Sequence, residues 1–248
     1  MFPEIGSIGP FTVHSFGLMV ALGLVAAGWF LSQDARQRGL GTSLALELTA
    51  AAGIGGFVGA RIYYVIDTGD TGDGLLSGSG LTWYGGVAGG ALLVVGVALL
   101  RRVPLGVIAN MAAPGLAIGY AIGRLGCQLA GDGDYGTASD LPWAMSYPDG
   151  TVPTTERVHP TPLYESVAQL ALFVALWRLR ERFSAAWSLF GLYAVLAGAM
   201  RFLVEFVRRN PEVVGALTTA QVVSLGLIAV GAAILAATRR SPARLAPA

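Results

Sequence analysis

The chain has 248 residues, 54% of them hydrophobic and only 12% charged, with a formal net charge of +1 and a mean hydropathy of +0.63. Soluble domains carry about 25% charged residues, so the composition excludes an ordinary water-soluble fold, and the near-neutral balance excludes the basic field that nucleic acid requires. A single cysteine, Cys127, excludes an internal disulfide framework and any multi-cysteine metal site.

The first fifteen residues carry Glu4 and no Lys or Arg. That pattern predicts a translocated N-terminus rather than a cleavable signal peptide, which opens on positive charge. Apolar runs then recur to the end of the chain and predict seven transmembrane helices at about 11–31, 44–66, 82–100, 105–125, 162–177, 187–206 and 216–237. Each is near the length a tilted helix needs to cross the hydrocarbon. The third and fifth are the least continuous, and a partly re-entrant segment stays open for either.

All basic residues are arginines, and their positions set the orientation. Arg36 and Arg38 follow the first span, Arg101 and Arg102 the third, Arg178, Arg180 and Arg182 the fifth, and Arg239, Arg240 and Arg244 the seventh. The opposite side collects Asp67, Asp70, Asp73, Asp132, Asp134, Asp140, Asp149 and Glu156. The expectation is an all-α, multi-pass protein of a bacterial inner membrane, N-terminus outside and C-terminus in the cytoplasm. It forms one transmembrane domain over 1–248 with a periplasmic loop at about 130–161. That loop exceeds an ordinary connection and invites a functional role. The 35 glycines, dense around 53–59, 85–90 and 115–126, suit close helix approach. Transporters of this size often show inverted repeats, and no internal repeat is evident here.

Ionisable groups in or beside apolar spans cost about 2.5–3.5 kcal/mol at mid-bilayer, so each needs a partner or a task. Arg124 sits in Gly123-Arg124-Leu125-Gly126. It is either a snorkelling interfacial side chain or a clamp for an anionic headgroup, which the planar guanidinium grips in bidentate fashion. Arg201, Glu205 and Arg208 share a helix face by spacing, as a self-neutralising stripe or as an anion site oriented by Glu205. In His159-Pro160-Thr161-Pro162-Leu163-Tyr164-Glu165, Thr161 and Pro162 read as a helix start. That explains neither His159 nor Glu165. Trp83-Tyr84-Gly85-Gly86 is an interfacial anchor or a backbone turning near a lipid headgroup.

Taken together, Gly123-Arg124-Leu125-Gly126, Gly131-Asp132-Gly133-Asp134-Tyr135-Gly136, His159-Pro-x-Pro-Leu-Tyr164-Glu165 and Arg201-Phe-x-x-Glu205-Phe-x-Arg208 resemble the bacterial prolipoprotein diacylglyceryl transferase family. The resemblance runs from His14 to Pro211. It implies a seven-helix membrane enzyme, N-terminus out, with no metal or soluble cofactor. Such an enzyme moves the diacylglyceryl group of phosphatidylglycerol to the lipobox cysteine of a preprolipoprotein, as a thioether, and glycerol phosphate leaves. The partners implied are phosphatidylglycerol, the lipobox of the preprolipoprotein signal peptide, and membrane lipids. By the same resemblance Arg124 and Arg201 meet the phosphate and Glu205 orients them, with Tyr84 and Asp132 as further candidate catalytic positions. Arg208, His159, Glu165, Gly85, Gly86, Gly136 and Cys127 complete the candidate substrate-binding set.

The sequence also departs from the family's pattern. Tyr84 stands where a histidine usually precedes the paired glycines, and Phe16 stands for a tyrosine. Cys127 and Ala130 stand for two asparagines, and one residue is inserted before Gly136. A tyrosine with an ordinary pKa near 10 is a poor base unaided. Two alternatives therefore stay open: a relative that passes the lipid group to another acceptor, and a non-catalytic lipid-binding or transport protein on the same fold. Cys127 reads as a small packing residue or as a transient acceptor of the lipid.

Overall fold

Helices of hydrocarbon-crossing length make up most of the chain. A computed structural model describes residues 1–9, 11–69 and 82–240; Asp70, Asp73 and Arg244 of the charge pattern lie outside these. The chain opens with an antiparallel hairpin of β1 (Glu4–Ile8) and β2 (Phe11–His14) and enters α1 (Ser15–Gln37) directly. The first helix thus starts four residues later than the apolar run predicts, because Phe11–His14 pair with β1. Next come α2 (Thr42–Thr68), α3 (Trp83–Leu100) and α4 (Leu105–Ala130). The strands β3 (Met145–Tyr147) and β4 (Thr154–Val158) form a second hairpin inside the long polar stretch. They lead to α5 (Thr161–Leu179) and α6 (Ser188–Val204), which runs on into a 3-10 turn at Glu205–Val207. A last hairpin, β5 (Glu212–Val214) with β6 (Leu217–Thr218), precedes α7 (Thr219–Arg240).

Six of these helices are long and apolar enough to cross a membrane: α1, α2, α3, α4, α6 with its 3-10 turn, and α7. The fifth expected span, α5, is not among them. Its 19 residues include Glu165, Ser166, Gln169 and Arg178, which dilute the apolar run.

The chain divides into two compact units, one of Gly28–Met111 and one of Met1–Ala27 with the chain from Ala112 onward. In the first, α2 and α3 meet through glycines. A side chain on Gly55 or Gly59 would strike the backbone at Gly89 or Gly85, and the reverse substitutions would collide equally. Small residues permit this approach, and in lipid it supplies van der Waals contact where no hydrophobic drive exists. Leu44, Leu48, Ala98 and Ile108 form the unit's buried core, and Glu47 of α2 pairs with Arg101 at 2.7 Å.

In the second unit, glycines again set the helix contacts. Gly191 and Gly198 of α6 lie against Gly231 and Ile228 of α7, and Gly126 of α4 lies against Phe16 and Met19 of α1. The polar stretch after α4 has a small core of its own, Tyr135, Tyr147 and Val158. The two tyrosine rings stack at 4.9 Å, and the Tyr147 hydroxyl donates to Gln128 Oε1 at 2.9 Å.

Candidate active site

In the second unit, α4, the polar stretch after it, α5 and the end of α6 bring three guanidiniums and three carboxylates together. Glu165 is the hub. Its side chain is 4% exposed, and it pairs closely with Arg124. Arg208 approaches it at 3.4 Å and Arg201 at 3.6 Å, and the Tyr120 hydroxyl donates to Oε1 at 3.0 Å. The Tyr120 donor comes from one turn before Arg124 on the same face of α4. A carboxylate so thoroughly bonded fixes the planes of the guanidiniums around it.

Asp134 is the second hub, forming close pairs with both Arg124 and Arg208. Burial alone would raise its pKa, but the charges of Arg124 and Arg208 prevail and hold its carboxyl down at about 2. Neighbouring Asp132 feels the charge of Arg124 only weakly. Burial and the negative charge of Asp134 push its pKa above the ordinary carboxylate range. Glu205 is the third hub, fully buried and closely paired with Arg201, with Arg208 at 3.7 Å. Its other oxygen accepts from Asn210 Nδ2 at 2.6 Å and Thr218 Oγ1 at 2.7 Å.

The local fold explains why distant residues converge. The 3-10 turn ends α6, and Arg208 leaves it with extended backbone (φ −91°, ψ 167°), which turns the chain back toward Asp134. Gly136 bridges to Arg208, Thr137 N–H donates to the Val207 carbonyl at 2.8 Å and His159 N–H to the Thr137 carbonyl at 3.0 Å. A side chain on Gly136 would collide with the Val207 carbonyl, His159 and Thr161, so this close backbone approach accounts for its glycine. Thr161, expected as a helix cap, makes no cap bond; its hydroxyl instead donates to the Asp134 carbonyl. Pro160 takes the capping position, Thr161 opens the helix and Pro162 follows within its first turn, where a missing N–H costs nothing.

Beside the cluster lies a cavity of about 600 Å³. It is lined by the polar Tyr120, His159, Tyr164, Glu165, Gln169 and Arg201 and by apolar side chains that include Ala168, Met200, Leu203 and Val204. Trp143 Nε1 donates to the Tyr164 hydroxyl at 2.8 Å. That hydroxyl stands 3.2 Å from His159 Nδ1, within hydrogen-bond reach of the ring.

Of the residues singled out in the sequence, Arg124, Arg201, Glu205, Arg208, Glu165 and His159 therefore gather at one place. Arg201, Glu165 and His159 line the cavity, while Arg124 and Arg208 are held by the carboxylates beside it. Cys127 is buried, with Arg124 Nη1 3.4 Å from its sulfur. The donor atoms of Cys127, Asp132 and Asp134 lie within 4.8 Å of one another. A cation there would have to compete with two guanidiniums for Asp134. Tyr84, Gly85 and Gly86 belong to the other unit, at the start of α3, where Gly85 abuts Gly59 of α2 and the Trp83 and Tyr84 rings meet edge to face at 5.2 Å.

Sequence reasoning missed Asp134, Tyr120 and Tyr164 as site residues. Asp134 was visible only as one of two acids in a glycine-rich stretch, with nothing to choose it over Asp132. Tyr120 was findable from its four-residue spacing to Arg124.

A family model described as prolipoprotein diacylglyceryl transferase matches residues 3–237. The phosphatidylglycerol–prolipoprotein diacylglyceryl transferase of Nostoc sp. is 34% identical over 251 residues, covering 94% of this chain and 88% of that protein. The protein of the same name from Chromohalobacter salexigens is 30% identical over 258 residues, covering 97% of this chain and 95% of its own. That of Clostridium tetani is 29% identical over 239 residues, covering 93% and 95%.

Proposed function

The chain belongs to the prolipoprotein diacylglyceryl transferase family, and we propose that it transfers the diacylglyceryl group of phosphatidylglycerol to the lipobox cysteine of a preprolipoprotein. The observation that carries this reading is the convergence of Arg124, Arg201 and Arg208 on Glu165, a residue that lines a largely apolar cavity together with Arg201. An anionic headgroup with acyl chains needs just that pairing of a cationic end and an apolar bed.

Arg201 is the group that meets the phosphate. It lines the cavity, and its five N–H donors are not exhausted by Glu205 and the looser contact to Glu165. Glu205 is a positioning residue, itself held by Asn210 and Thr218. Arg124 and Arg208 supply positive potential behind Glu165. As the cysteine sulfur attacks the glyceryl carbon, a C–S bond forms and the C–O bond to phosphate breaks. Negative charge then grows on the departing glycerol phosphate. Fixed guanidiniums in a water-poor site stabilise that charge without reorganising. The thiol must first lose its proton, because the thiolate is the nucleophile. Tyr84 and Asp132 are carried forward as candidates on the acceptor side. Asp132 has the chemistry of a proton acceptor, its basicity raised by burial and by Asp134.

In this reading α5 joins the six other helices as a seventh span of one transmembrane domain in the bacterial inner membrane. The N-terminus and the 130–161 loop face the periplasm and the C-terminus faces the cytoplasm. The arginine asymmetry of alternate loops supports that orientation.

The test is transfer by the purified protein from phosphatidylglycerol labelled in its acyl chains to a lipobox peptide. Thioether-linked label should appear on the peptide and vanish with a cysteine-to-alanine peptide and with Arg201→Ala. Phosphatidylglycerol consumed without labelled peptide would mean a different acceptor. No dependence on phosphatidylglycerol would refute the proposal.

A further inference from the structure

Gln169 lies one turn along α5 from Glu165 and lines the same cavity. It is 5% exposed, yet its Oε1 has no hydrogen-bond partner. Buried side-chain amides are almost always bonded, because an unsatisfied one forfeits its hydration with nothing in return. Leucine or methionine would fill the position without that cost, as Ala168, Met200, Leu203 and Val204 do in the surrounding wall. Among the described residues neither end of this amide has a hydrogen-bond partner, and its nitrogen, unlike the oxygen, is not sealed from the cavity, so the amide is left to bond to what enters there.

The level of the residue indicates which part of the ligand that is. One helical turn advances about 5.4 Å, so Gln169 sits about that far from Glu165 along the axis of α5, and Glu165 with Arg201 marks the phosphate end. In a diacyl phospholipid the ester linkages stand a few bonds from the phosphorus, on the acyl side, between the charged headgroup and the chains. They offer carbonyl oxygens that only accept. The carboxamide nitrogen carries two N–H donors, so Gln169 can present one to such a carbonyl. We propose that Gln169 recognises an ester carbonyl of the lipid donor, making the site selective for diacyl over dialkyl phospholipids. This rests on the cavity being the donor-lipid site of the reaction described above.

The experiment compares ordinary phosphatidylglycerol with its dialkyl ether analogue, which keeps the headgroup and chains but lacks both carbonyls, in mixed micelles with a lipobox peptide. For the unaltered protein, KM should be about tenfold higher for the ether donor, the size of one hydrogen bond in a buried setting. Gln169→Leu should raise KM for the ester donor about tenfold, leave the ether donor unchanged and so abolish the preference. Its thermal midpoint should hold or rise, because no bond within the protein is lost. Gln169→Met, with a different shape, should behave alike. A Leu variant that keeps the unaltered ester-to-ether ratio overturns the inference, whatever its stability. A variant whose peptide KM rises in place of its lipid KM also overturns it and assigns the amide to the acceptor. If the unaltered protein transfers nothing from phosphatidylglycerol, the functional reading itself falls and takes this one with it. Transfer with an intact ratio in the variant sinks the inference alone.

Discussion

Glu165→Gln tests whether the arginines are organised by a single buried carboxylate. The substitution keeps the size and shape of the side chain and one oxygen for the Tyr120 hydroxyl, but removes the charge that Arg124, Arg201 and Arg208 share. Removing one partner of a buried ion pair costs about 3–5 kcal/mol, chiefly because a charge is left without compensation. Here Asp134 still holds Arg124 and Arg208, and Glu205 still holds Arg201, so the lower end, about 3 kcal/mol, is expected. For a chain of this length that corresponds to a thermal midpoint lowered by about 6–12 °C, read by melting in detergent. Transfer kinetics should show kcat/KM down about 100-fold, the scale of an ångström-size misplacement of groups that must meet a developing charge. A variant that melts within about 2 °C of the parent and keeps kcat/KM within about threefold would refute the idea that Glu165 sets the geometry of the cluster.

Asp134 carries an acid-dependent share of stability. Its folded pKa of about 2 lies below the ordinary 3.8, so its contribution is complete above about pH 5 and lost as pH falls through about 2. With a side chain 33% exposed, that share is about 1–2 kcal/mol after solvent screening; Asp134→Asn should lower the midpoint at pH 7 and flatten its decline in acid. Cys127 does not line the cavity, so Cys127→Ser should retain transfer within about threefold. Complete loss in a folded Ser variant would revive a lipid-carrying role for its thiol. Gly136→Ala would push a methyl group into the Val207 carbonyl and His159. It should cost about 1–3 kcal/mol of stability and expose the polar stretch to limited proteolysis before the helices melt.

The helices were legible because hydrocarbon imposes its length on them, and the outlying arginines were legible because they interrupt apolar runs. Boundaries failed where polar pairing overrode apolarity. Residues 11–14 read as the start of the first span but pair with β1, and α4 continues past the apolar run to Ala130, carrying Cys127 within its last turns. In the site, Arg201 and Glu205 could be paired from spacing because one helix carries both. That Glu165, rather than Glu205, gathers all three arginines depends on how α4, α5 and α6 meet, and no local spacing encodes that meeting. Asp134 was hidden for the same reason. Its importance comes from a turn after α6 that sends Arg208 back across the loop, not from the residues on either side of it.

The close pairing of Arg124 with Asp134 has a consequence for how the chain is made. A ribosome delivers Arg124 well before Glu165, and longer still before the acids and hydroxyls beyond α6. In that interval an arginine near the end of α4 would sit beside lipid with its charge unanswered, a position that costs free energy even where the side chain can snorkel. Asp134 follows only ten residues later, soon enough to accompany α4 out of the insertion machinery as a neutral pair. It thus chaperones its own arginine until α5 arrives and Glu165 takes over the centre of the cluster. A cell making the Asp134→Asn variant should therefore accumulate less protein in its membrane, while each molecule that completes insertion still finds Glu165 waiting.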